Sequence, residues 1–274
     1  MSEWTALPHL IACVIVIAVA YGLAWVMPMS ARFSPLYAAT IFARLLAKKV
    51  NKSENPRQQS ISGALALITY FVVLLIIIWA LLFVAPADVI TESVLLLISL
   101  NYFHVSRTNA AIAEAITAKQ TSLAKSLLAE YSFAEVKTFS QLGVTKHAME
   151  LQILFWISGF VVPVLLFIFV GGLASLCYAL LVVAQHEWHC IKPQFTSFGR
   201  TAHHIDNVIR FSFISFLLPV LVSLKGAFGV IPLYKQLRIN ASNWQSPGSD
   251  LSIAVVAAGC KCEAAGPLLT KDGS

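Results

Sequence analysis

Two polar segments in the second half of the chain carry the residue types best suited to chemistry. The first reads FGRTAHHIDNV and contains His203, His204, Asp206 and Asn207. If it is helical, His203 and Asn207 share one face at a spacing of four, and Asp206 lies three residues from His203. Such a group could bind a cation or a phosphate. The same residues could instead cap the helix or contact lipid headgroups, so both interpretations stay open.

The second segment reads SPGSDLSIAVVAAGCKCEAAGP and consists mostly of small residues. Together with Asn243 just before it, Ser246, Pro247 and Gly248 predict a turn at its beginning. The small residues that follow, as far as Gly266, would let another backbone approach closely. That backbone could belong to a neighbouring helix, or the space could receive a bulky ligand.

Zinc chemistry is a poor match to the remaining candidates. Cys260 and Cys262 are separated by one residue and have no second cysteine pair to complete a site. His186, Glu187 and His189 lie close together but lack the histidine pair at a spacing of four that zinc proteases use. We therefore predict no metal from these two groups.

The composition defines the class of protein that must position these segments. Of the 274 residues, 58% are hydrophobic and only 12% are charged, and the mean hydropathy is +0.78. These values predict an all-α, polytopic helical membrane protein. The net charge of +6 comes from basic residues between apolar runs, which is the pattern of membrane topology. Without a basic stripe interleaved with aromatic residues, we expect no nucleic-acid partner.

About five transmembrane helices are predicted from the apolar runs, since a crossing needs about 20 residues. The run at 94–103 is too short to cross unless its helix begins near Val89 and tilts. The longest run is predicted to fold back as a hairpin at Gly171 and Gly172. A lysine inside the last run, Lys225, should face a partner, a cavity or the interface. The runs are 7–27, 63–84, 94–103, 151–184 and 211–233.

Three polar segments, 28–60, 104–150 and 185–210, are predicted to be cytoplasmic by the positive-inside rule. The middle one has apolar residues at helical spacing and should form amphipathic helices on the bundle or on the headgroups. A single integral membrane domain, 1–274, with a free tail at 268–274 is the expected organisation. A full crossing by the last run would place 234–274 outside, whereas a re-entrant turn would return the small-residue segment to the cytoplasmic side.

Several of these features together resemble the CobD/CbiB family of integral membrane adenosylcobinamide-phosphate synthases, to which the AmpE proteins of β-lactamase regulation are related. The resemblance rests on Phe-Gly followed by Asp206-Asn207, then on Asn243, Ser-Pro, the small residues and a closing Gly-Pro. Upstream, LGVTKHAME and the Pro and Gly-Gly that follow it also resemble the family. The similarity covers about 134–267.

Members of this family are thought to join cobyric acid to aminopropanol phosphate or a related amine in an ATP-dependent amide bond. The resemblance implies ATP and Mg²⁺ as cofactors, and it implies Glu135, Glu150 and Asp206 as catalytic residues, with Glu150 and Asp206 on the metal. Lys146 and Arg200 would contact phosphate. The positions implied for binding cofactor or substrate are Lys146, Arg200, His204, Asn207, Asn243, Ser246 and Gly266.

The chain departs from the family pattern at several acidic positions. Gln185 stands where the family has an aspartate, and Ile253 stands where it has a glutamate. Hydrocarbon cannot replace a carboxylate at Mg²⁺, so a second hypothesis is a catalytically inactive, AmpE-like signalling or ligand-binding protein on the same scaffold. A transporter is weaker, because the runs carry almost no polar groups to line a pathway.

On either main hypothesis the chain is expected in the bacterial inner (plasma) membrane, crossing it several times. Its expected partners are the lipid bilayer, a corrinoid or phosphorylated amine, and a second copy or another membrane protein.

Overall fold

The chain is helical throughout the part described by a computed structural model. That part comprises residues 16–19, 22, 35–52, 55–84, 89–100, 103–133, 136–225 and 247–260. No strand occurs within these ranges, which confirms the predicted all-α class. The helices are α1 (Pro35–Val50), α2 (Pro56–Val84), α3 (Val89–Ser99), α4 (Phe103–Thr117), α5 (Thr121–Ala129), α6 (Gln141–Trp156), α7 (Val162–Phe169), α8 (Gly172–Glu187), α9 (Arg200–Lys225) and α10 (Pro247–Cys260).

Two of the helical segments are long and apolar enough to cross a membrane. One is α2, and the other is the rod Gln141–Phe169, in which a π-helical turn at Ile157–Val161 joins α6 to α7. In the most apolar window of α2 only 11% of the residues are buried, so its Leu, Ile, Val and Phe side chains face outward, as a bilayer would require. Two candidate crossings are therefore found among the described residues, and the predicted five are not confirmed.

The other apolar runs form shorter or longer helices than the sequence suggested. Helix α3 does begin at Val89, but its 11 residues span only about 16 Å, roughly half of the hydrocarbon thickness. The rod begins at Gln141, ten residues before the apolar run, so it includes part of the segment predicted to be an amphipathic cytoplasmic layer. Helix α9 extends from Arg200 through most of the last run. The first run lies mostly outside the described residues.

The hairpin predicted at the double glycine is confirmed. Gly171 has φ +116°, a conformation that side chains strongly disfavour, and it separates α7 from α8. The backbone N–H of Gly172, at the start of α8, donates to the Glu92 carboxylate over 2.5 Å. An added Cβ at Gly172 would meet the Glu92 carbonyl oxygen at 3.0 Å. Glycine is therefore required here both for the turn and for the approach of α3.

The chain divides into two compact units, and the first contains residues 1–104 and 158–203. In this unit α8 packs against α1, α3 and α7, while α1 also packs against α2. Trp188, only 1% exposed, makes edge-on contacts with the rings of Tyr70 and Phe198. Its indole N–H donates to the Ala43 carbonyl over 3.0 Å, which ties the end of α8 to α1. A buried indole needs such a partner, so this contact fixes the register of the two helices.

The second unit contains residues 105–157 and 204–274. Its apolar core is formed by α4, α5, α6 and the turn after α5, with Ile112 and Leu128 each 1% exposed. Leu123 faces outward at 46% exposure. The helices predicted for 104–150 thus form, and their buried faces pack on one another. Helix α10, which begins the small-residue segment, packs against α6.

Candidate functional site

Asp206 forms the centre of a buried polar group in the second unit. Its side chain is fully buried and is bonded to the guanidinium of Arg210, one turn later on α9. Arg210 is itself only 6% exposed and also donates to the Ser249 hydroxyl over 3.4 Å. A buried charge requires such a partner. In this arrangement the Asp206 carboxylate is already neutralised by a residue of its own helix.

The small-residue segment approaches α9 beside this ion pair. The backbone N–H of Gly248 donates to Asn207 Oδ1 over 2.7 Å. A Cβ at Gly248 would collide with the Asn207 carbonyl and would come within 3.1 Å of the Phe211 nitrogen. Ser252, also buried, bonds to the Gly248 carbonyl over 2.5 Å. This close approach places the beginning of α10 beside α9 within the second unit, and the membrane side of 234–274 stays a prediction.

Helix α6 brings Lys146 and Glu150 to another part of the second unit. Glu150 Oε2 lies 3.7 Å from Nδ1 of His147, and both side chains are 16% exposed. Nε2 of His147 is 2.8 Å from the Ser132 hydroxyl, and its ring meets Phe139 edge-on at 5.5 Å. Lys146 is half-buried on the same helix. A polar group with Glu150 at its edge is thus built on the α5–α6 core.

Arg200 and His204 are both exposed near the start of α9. On the same helix His203 is placed in the first unit, where its ring lies 6.0 Å from that of His189. Its Nδ1 is 3.4 Å from Nε2 of Gln185, the residue at the lost acidic position. The segment FGRTAHHIDNV is helical from Arg200 onward, so the condition for the shared face of His203 and Asn207 is met. Four predicted site residues lie outside the described residues: Glu135, Asn243, Ser246 and Gly266.

A cleft of about 470 Å³ opens in the first unit between α1 and the chain after α8. At its wall Arg44 binds Glu187 through two hydrogen bonds, from Nε over 2.7 Å and from Nη2 over 2.9 Å. Lys48 and Lys192 also line the cleft. The cleft is therefore lined by three cationic side chains and one carboxylate, which Arg44 binds. Other lining residues are Ala47, Asn51, Trp188, Gln194 and Phe195.

Burial and charge alter the protonation of the groups around this cleft. The double hydrogen bond to Glu187 raises the pKa of Arg44, so the guanidinium stays charged. Burial lowers the pKa of Lys192, an effect that Glu187 opposes and Arg44 reinforces. Burial likewise lowers the pKa of His186 to about 4, so this imidazole is neutral at ordinary pH. The cleft is therefore cationic because of its Arg and Lys residues.

The cleft residues were not among those singled out from the sequence. Arg44 and Glu187 are 143 positions apart, so no local pattern connects them. One signal was present, because Arg44 and Lys48 are four residues apart and share a face of α1. Zinc binding is the only role that the sequence suggests for the group His186, Glu187 and His189. In the structure the Glu187 carboxylate instead accepts two hydrogen bonds from Arg44.

A metal centre is not formed by the described residues. Among them no three or more His, Cys, Asp or Glu side chains are grouped so that they could hold an ion. Asp206 is bonded to Arg210, and Glu150 lies beside His147. The roles predicted for Glu150 and Asp206 at a metal stay predictions.

Comparison with known proteins identifies one family. The family model described as "CobD/Cbib protein" matches residues 15–270, nearly the whole chain. No match is found among curated proteins or among solved structures.

Proposed function

The chain belongs to the CobD/CbiB family, a family of cobalamin biosynthesis, and on this premise we propose that it forms the amide bond of cobinamide. The substrates would be cobyric acid and aminopropanol or its phosphate. The product would be cobinamide or cobinamide phosphate, with ATP hydrolysis driving the reaction. The amine nitrogen loses its extra protons and bonds to the carboxyl carbon, the bond from that carbon to one carboxylate oxygen breaks, and this oxygen leaves on the inorganic phosphate released as ATP is converted to ADP.

The observation that carries this proposal is the contact between the two segments on which the family resemblance rests. Asn207 follows Asp206 in the first segment, and its side chain accepts a hydrogen bond from Gly248 at the start of the second. The close approach needs glycine at 248, because a side chain would strike the α9 backbone. Segments that are distant in the sequence are held together by polar contacts, which is the arrangement expected of a site rather than of separate loops.

The proposed roles of the residues follow from their placement. Glu150, half-buried beside His147, is positioned to exchange a proton or to orient an amine. Lys146 and Arg200 are proposed phosphate contacts, because both keep part of their side chains accessible. The small-residue segment from Gly248 onward is proposed to border the corrin. Glu135 keeps its proposed catalytic role outside the described residues.

ATP and Mg²⁺ are the cofactors proposed for an active chain. Mg²⁺ on nucleotide phosphates is usually bound through one or two protein carboxylates and several waters. The described carboxylates do not fit such a role well, because Asp206 is committed to Arg210. We therefore assign no step of the reaction to the metal.

The proposed location is the bacterial inner membrane, crossed several times, with the polar segments on the cytoplasmic side. The two candidate crossings and the excess of basic residues in 28–60 support this topology. The lipid bilayer is then a permanent partner, and the proposed substrates are a corrinoid and a phosphorylated amine. A homo-oligomer or another membrane protein is a further proposed partner.

Genetic complementation tests the proposed activity. The chain is expressed in a bacterium that lacks its own cobinamide-phosphate synthase, and growth that depends on added cobyric acid is measured. We expect rescue by the unaltered chain, loss of rescue by Glu150→Gln and retained rescue by Glu130→Gln, an exposed glutamate of the same unit. No rescue despite confirmed membrane expression would contradict the proposed activity.

A second candidate is a catalytically inactive, AmpE-like signalling or ligand-binding protein. The observation that favours it is the internal neutralisation of Asp206 by Arg210, together with glutamine at position 185. This candidate expects no binding of ATP by the purified chain. Saturable ATP binding, measured by equilibrium dialysis, would contradict it.

A further inference from the structure

The outward face of α1 changes character along the helix. Tyr37, Ile41 and Leu45 follow one another at a spacing of four on this face, and their exposed fractions are 37%, 42% and 60%. Lys48 and Lys49, in the last turn of the same helix, are exposed as well. The opposite face carries the buried residues, and α1 packs against α2 and α8. The outward face therefore begins as an apolar stripe and ends in lysines.

Helix α2 shows the same change in the opposite direction. Arg57, in its first turn, is exposed and basic. Ile61, Leu65 and Ile68 follow with exposed fractions of 63%, 58% and 59%, and their spacing of three or four places them on one face. Helices α1 and α2 pack against each other within the first unit. Both apolar stripes thus give way to basic side chains near the short segment that joins the two helices.

The change from apolar to basic takes place over a short distance on each helix. From Leu45 to Lys48 an α-helix rises about 4.5 Å, and from Arg57 to Ile61 it rises about 6 Å. The headgroup layer on each side of a bilayer is about 5–8 Å thick, because the hydrocarbon core measures about 30 Å and the whole bilayer about 40–45 Å. Each helix therefore changes from apolar to basic within the thickness of one headgroup layer.

Positive charge is concentrated between the two apolar stripes. Lys48, Lys49, Lys52 and Arg57 are all exposed, and we call these four side chains the basic collar. In the sequence from 46 to 60 the single acidic residue is Glu54. A cluster of four or more basic residues next to a membrane helix attracts anionic lipid headgroups. The collar therefore has the composition and the position of a headgroup-binding surface.

Arg44 is the one charged residue beside the apolar stripe of α1, since it directly precedes Leu45. Its guanidinium binds the Glu187 carboxylate through two hydrogen bonds, so its charge is compensated by the chain itself. Its side chain is long and 61% exposed, which allows the charged end to reach towards the headgroups. The pair is thus compatible with placing the stripe in hydrocarbon.

We propose that α1 and the start of α2 form a helical hairpin that inserts its apolar stripes into one leaflet and binds anionic phospholipid headgroups with the basic collar. A lipid surface covers stripe and collar together, whereas an acidic protein or a soluble anion would cover the collar and leave the stripes in water. From Pro35 to Leu45 the helix rises about 15 Å, half of the hydrocarbon thickness. This part of α1 therefore reaches no deeper than the middle of the bilayer.

The proposal rests on the membrane location proposed above, but it is independent of amide formation. It concerns the first unit, whereas the observation behind the proposed activity lies in the second. Failed complementation by a chain that is inserted in the membrane would leave the hairpin untouched. A wrong hairpin in a chain that still complements would leave the proposed activity standing.

The first test measures the depth of both helices in vesicles of phosphatidylcholine and phosphatidylglycerol. Spin labels are attached to Leu45→Cys, Lys52→Cys, Leu65→Cys and Ile76→Cys, each made singly in the full chain. The five native cysteines are first replaced by serine, and thermal unfolding shows whether the fold is kept. Collisions with oxygen report hydrocarbon, and collisions with a water-soluble nickel complex report water. Ile76, far along α2 and 60% exposed, is the control for the crossing itself.

We expect the labels at Leu45 and Leu65 to collide mainly with oxygen and the label at Lys52 to collide mainly with nickel. If the label at Leu45 were as open to nickel as that at Lys52, while Ile76 lay in hydrocarbon, the hairpin would be wrong and the membrane location would stand. If Ile76 were also open to nickel, both the membrane location and the hairpin would be overturned.

The second test measures lipid preference and keeps the native cysteines. The chain is placed in phosphatidylcholine bilayers, and the fractions of spin-labelled phosphatidylglycerol and phosphatidylcholine that the protein immobilises are compared. The double variant Lys49→Gln, Lys52→Gln alters the collar without touching the cleft wall. Its matched control is Lys119→Gln, Lys137→Gln, which removes the same charge from two exposed lysines of the second unit.

We expect the unaltered chain to prefer phosphatidylglycerol and the collar variant to lower this preference about twofold. Each lysine contributes about fivefold at its own headgroup, and the measured ratio averages over all the lipid around the protein. The control variant should stay near the unaltered chain. An equal fall in both double variants would assign the preference to net charge instead of the collar and would overturn the proposal, as would the lack of any preference in the unaltered chain.

Discussion

The Asp206 centre and the Arg44 cleft are both built around an arginine and a carboxylate, but they use these groups differently. Asp206 is fully buried and Arg210 nearly so, and Arg210 binds both Asp206 and the Ser249 hydroxyl. In the first unit the Arg44 side chain is 61% exposed, and two lysines line the same recess. The buried Asp206–Arg210 pair is shielded from solvent and stabilises the fold, whereas the Arg44–Glu187 pair is reached by solvent through its exposed arginine.

This contrast changes how the family resemblance should be interpreted. The resemblance drew attention to Asp206 as a metal ligand and catalytic group. The structure shows Asp206 bonded to Arg210, and its predicted role at a metal stays a prediction. Variants at the Asp206–Arg210 pair and at the Arg44–Glu187 pair test whether the two pairs differ in their contribution to stability.

The largest expected loss of stability is at the buried Asp206–Arg210 pair. Asp206→Ala leaves Arg210 buried without its carboxylate, and we expect the free energy of unfolding to fall by about 3–5 kcal/mol. Chemical denaturation in mixed micelles measures it. The double variant Asp206→Leu, Arg210→Met should recover much of the loss, since it removes both charges. A single variant as stable as the unaltered chain would contradict the closed, structural role.

The next effect is a pH dependence from His186. Its pKa is about 4 in the folded chain and near 6.5 when unfolded, so the unfolded state binds more protons between these values. The histidine's contribution is complete above pH 6.5 and is lost as the pH falls towards 4, by on the order of 3 kcal/mol. Unfolding curves across this range measure it. His186→Asn should flatten the slope, and a slope equal to that of the unaltered chain would contradict burial of His186.

A smaller effect is expected at the contact between α9 and α10. Gly248→Ala places a methyl group against the Asn207 backbone, and we expect a loss of about 1–3 kcal/mol from overpacking. Gly22→Ala is the matched control, because a Cβ there meets nothing within 4 Å. The midpoints of thermal unfolding of the two variants measure the difference in stability. If Gly248→Ala were as stable as Gly22→Ala, the small-residue segment would not pack on α9 as described.

The smallest expected loss of stability is at the Arg44–Glu187 pair. Glu187→Gln removes the carboxylate that Arg44 binds, and we expect a loss of no more than about 1 kcal/mol because solvent screens the exposed arginine. A loss as large as that of Asp206→Ala would show that both pairs are structural and would remove the contrast between them.

Local patterns predicted much of the fold. The double glycine predicted the hairpin, because glycine adopts the positive φ of such a turn without a steric penalty. Apolar spacing predicted the helices that bury Ile112 and Leu128. Two candidate crossings occur among the described residues, and the predicted five are not confirmed, because hydrophobicity alone does not separate a crossing from a short apolar helix such as α3.

The site was predicted less completely, for two different reasons. Arg44 and Glu187 meet only through the packing of α1 on α8, which no pattern in the sequence specifies. Arg210, by contrast, lies four residues after Asp206 and could have been recognised as its partner from helical spacing.

Direct synthesis by the purified chain tests the central claim, that this family member forms the cobinamide amide bond. The protein in detergent is incubated with cobyric acid, aminopropanol phosphate, ATP and Mg²⁺, and products are identified by mass spectrometry. The account predicts cobinamide phosphate from the unaltered chain and from Glu130→Gln, and little from Glu150→Gln. Absence of product from folded protein would contradict amide formation and would favour a binding or signalling role on the same scaffold.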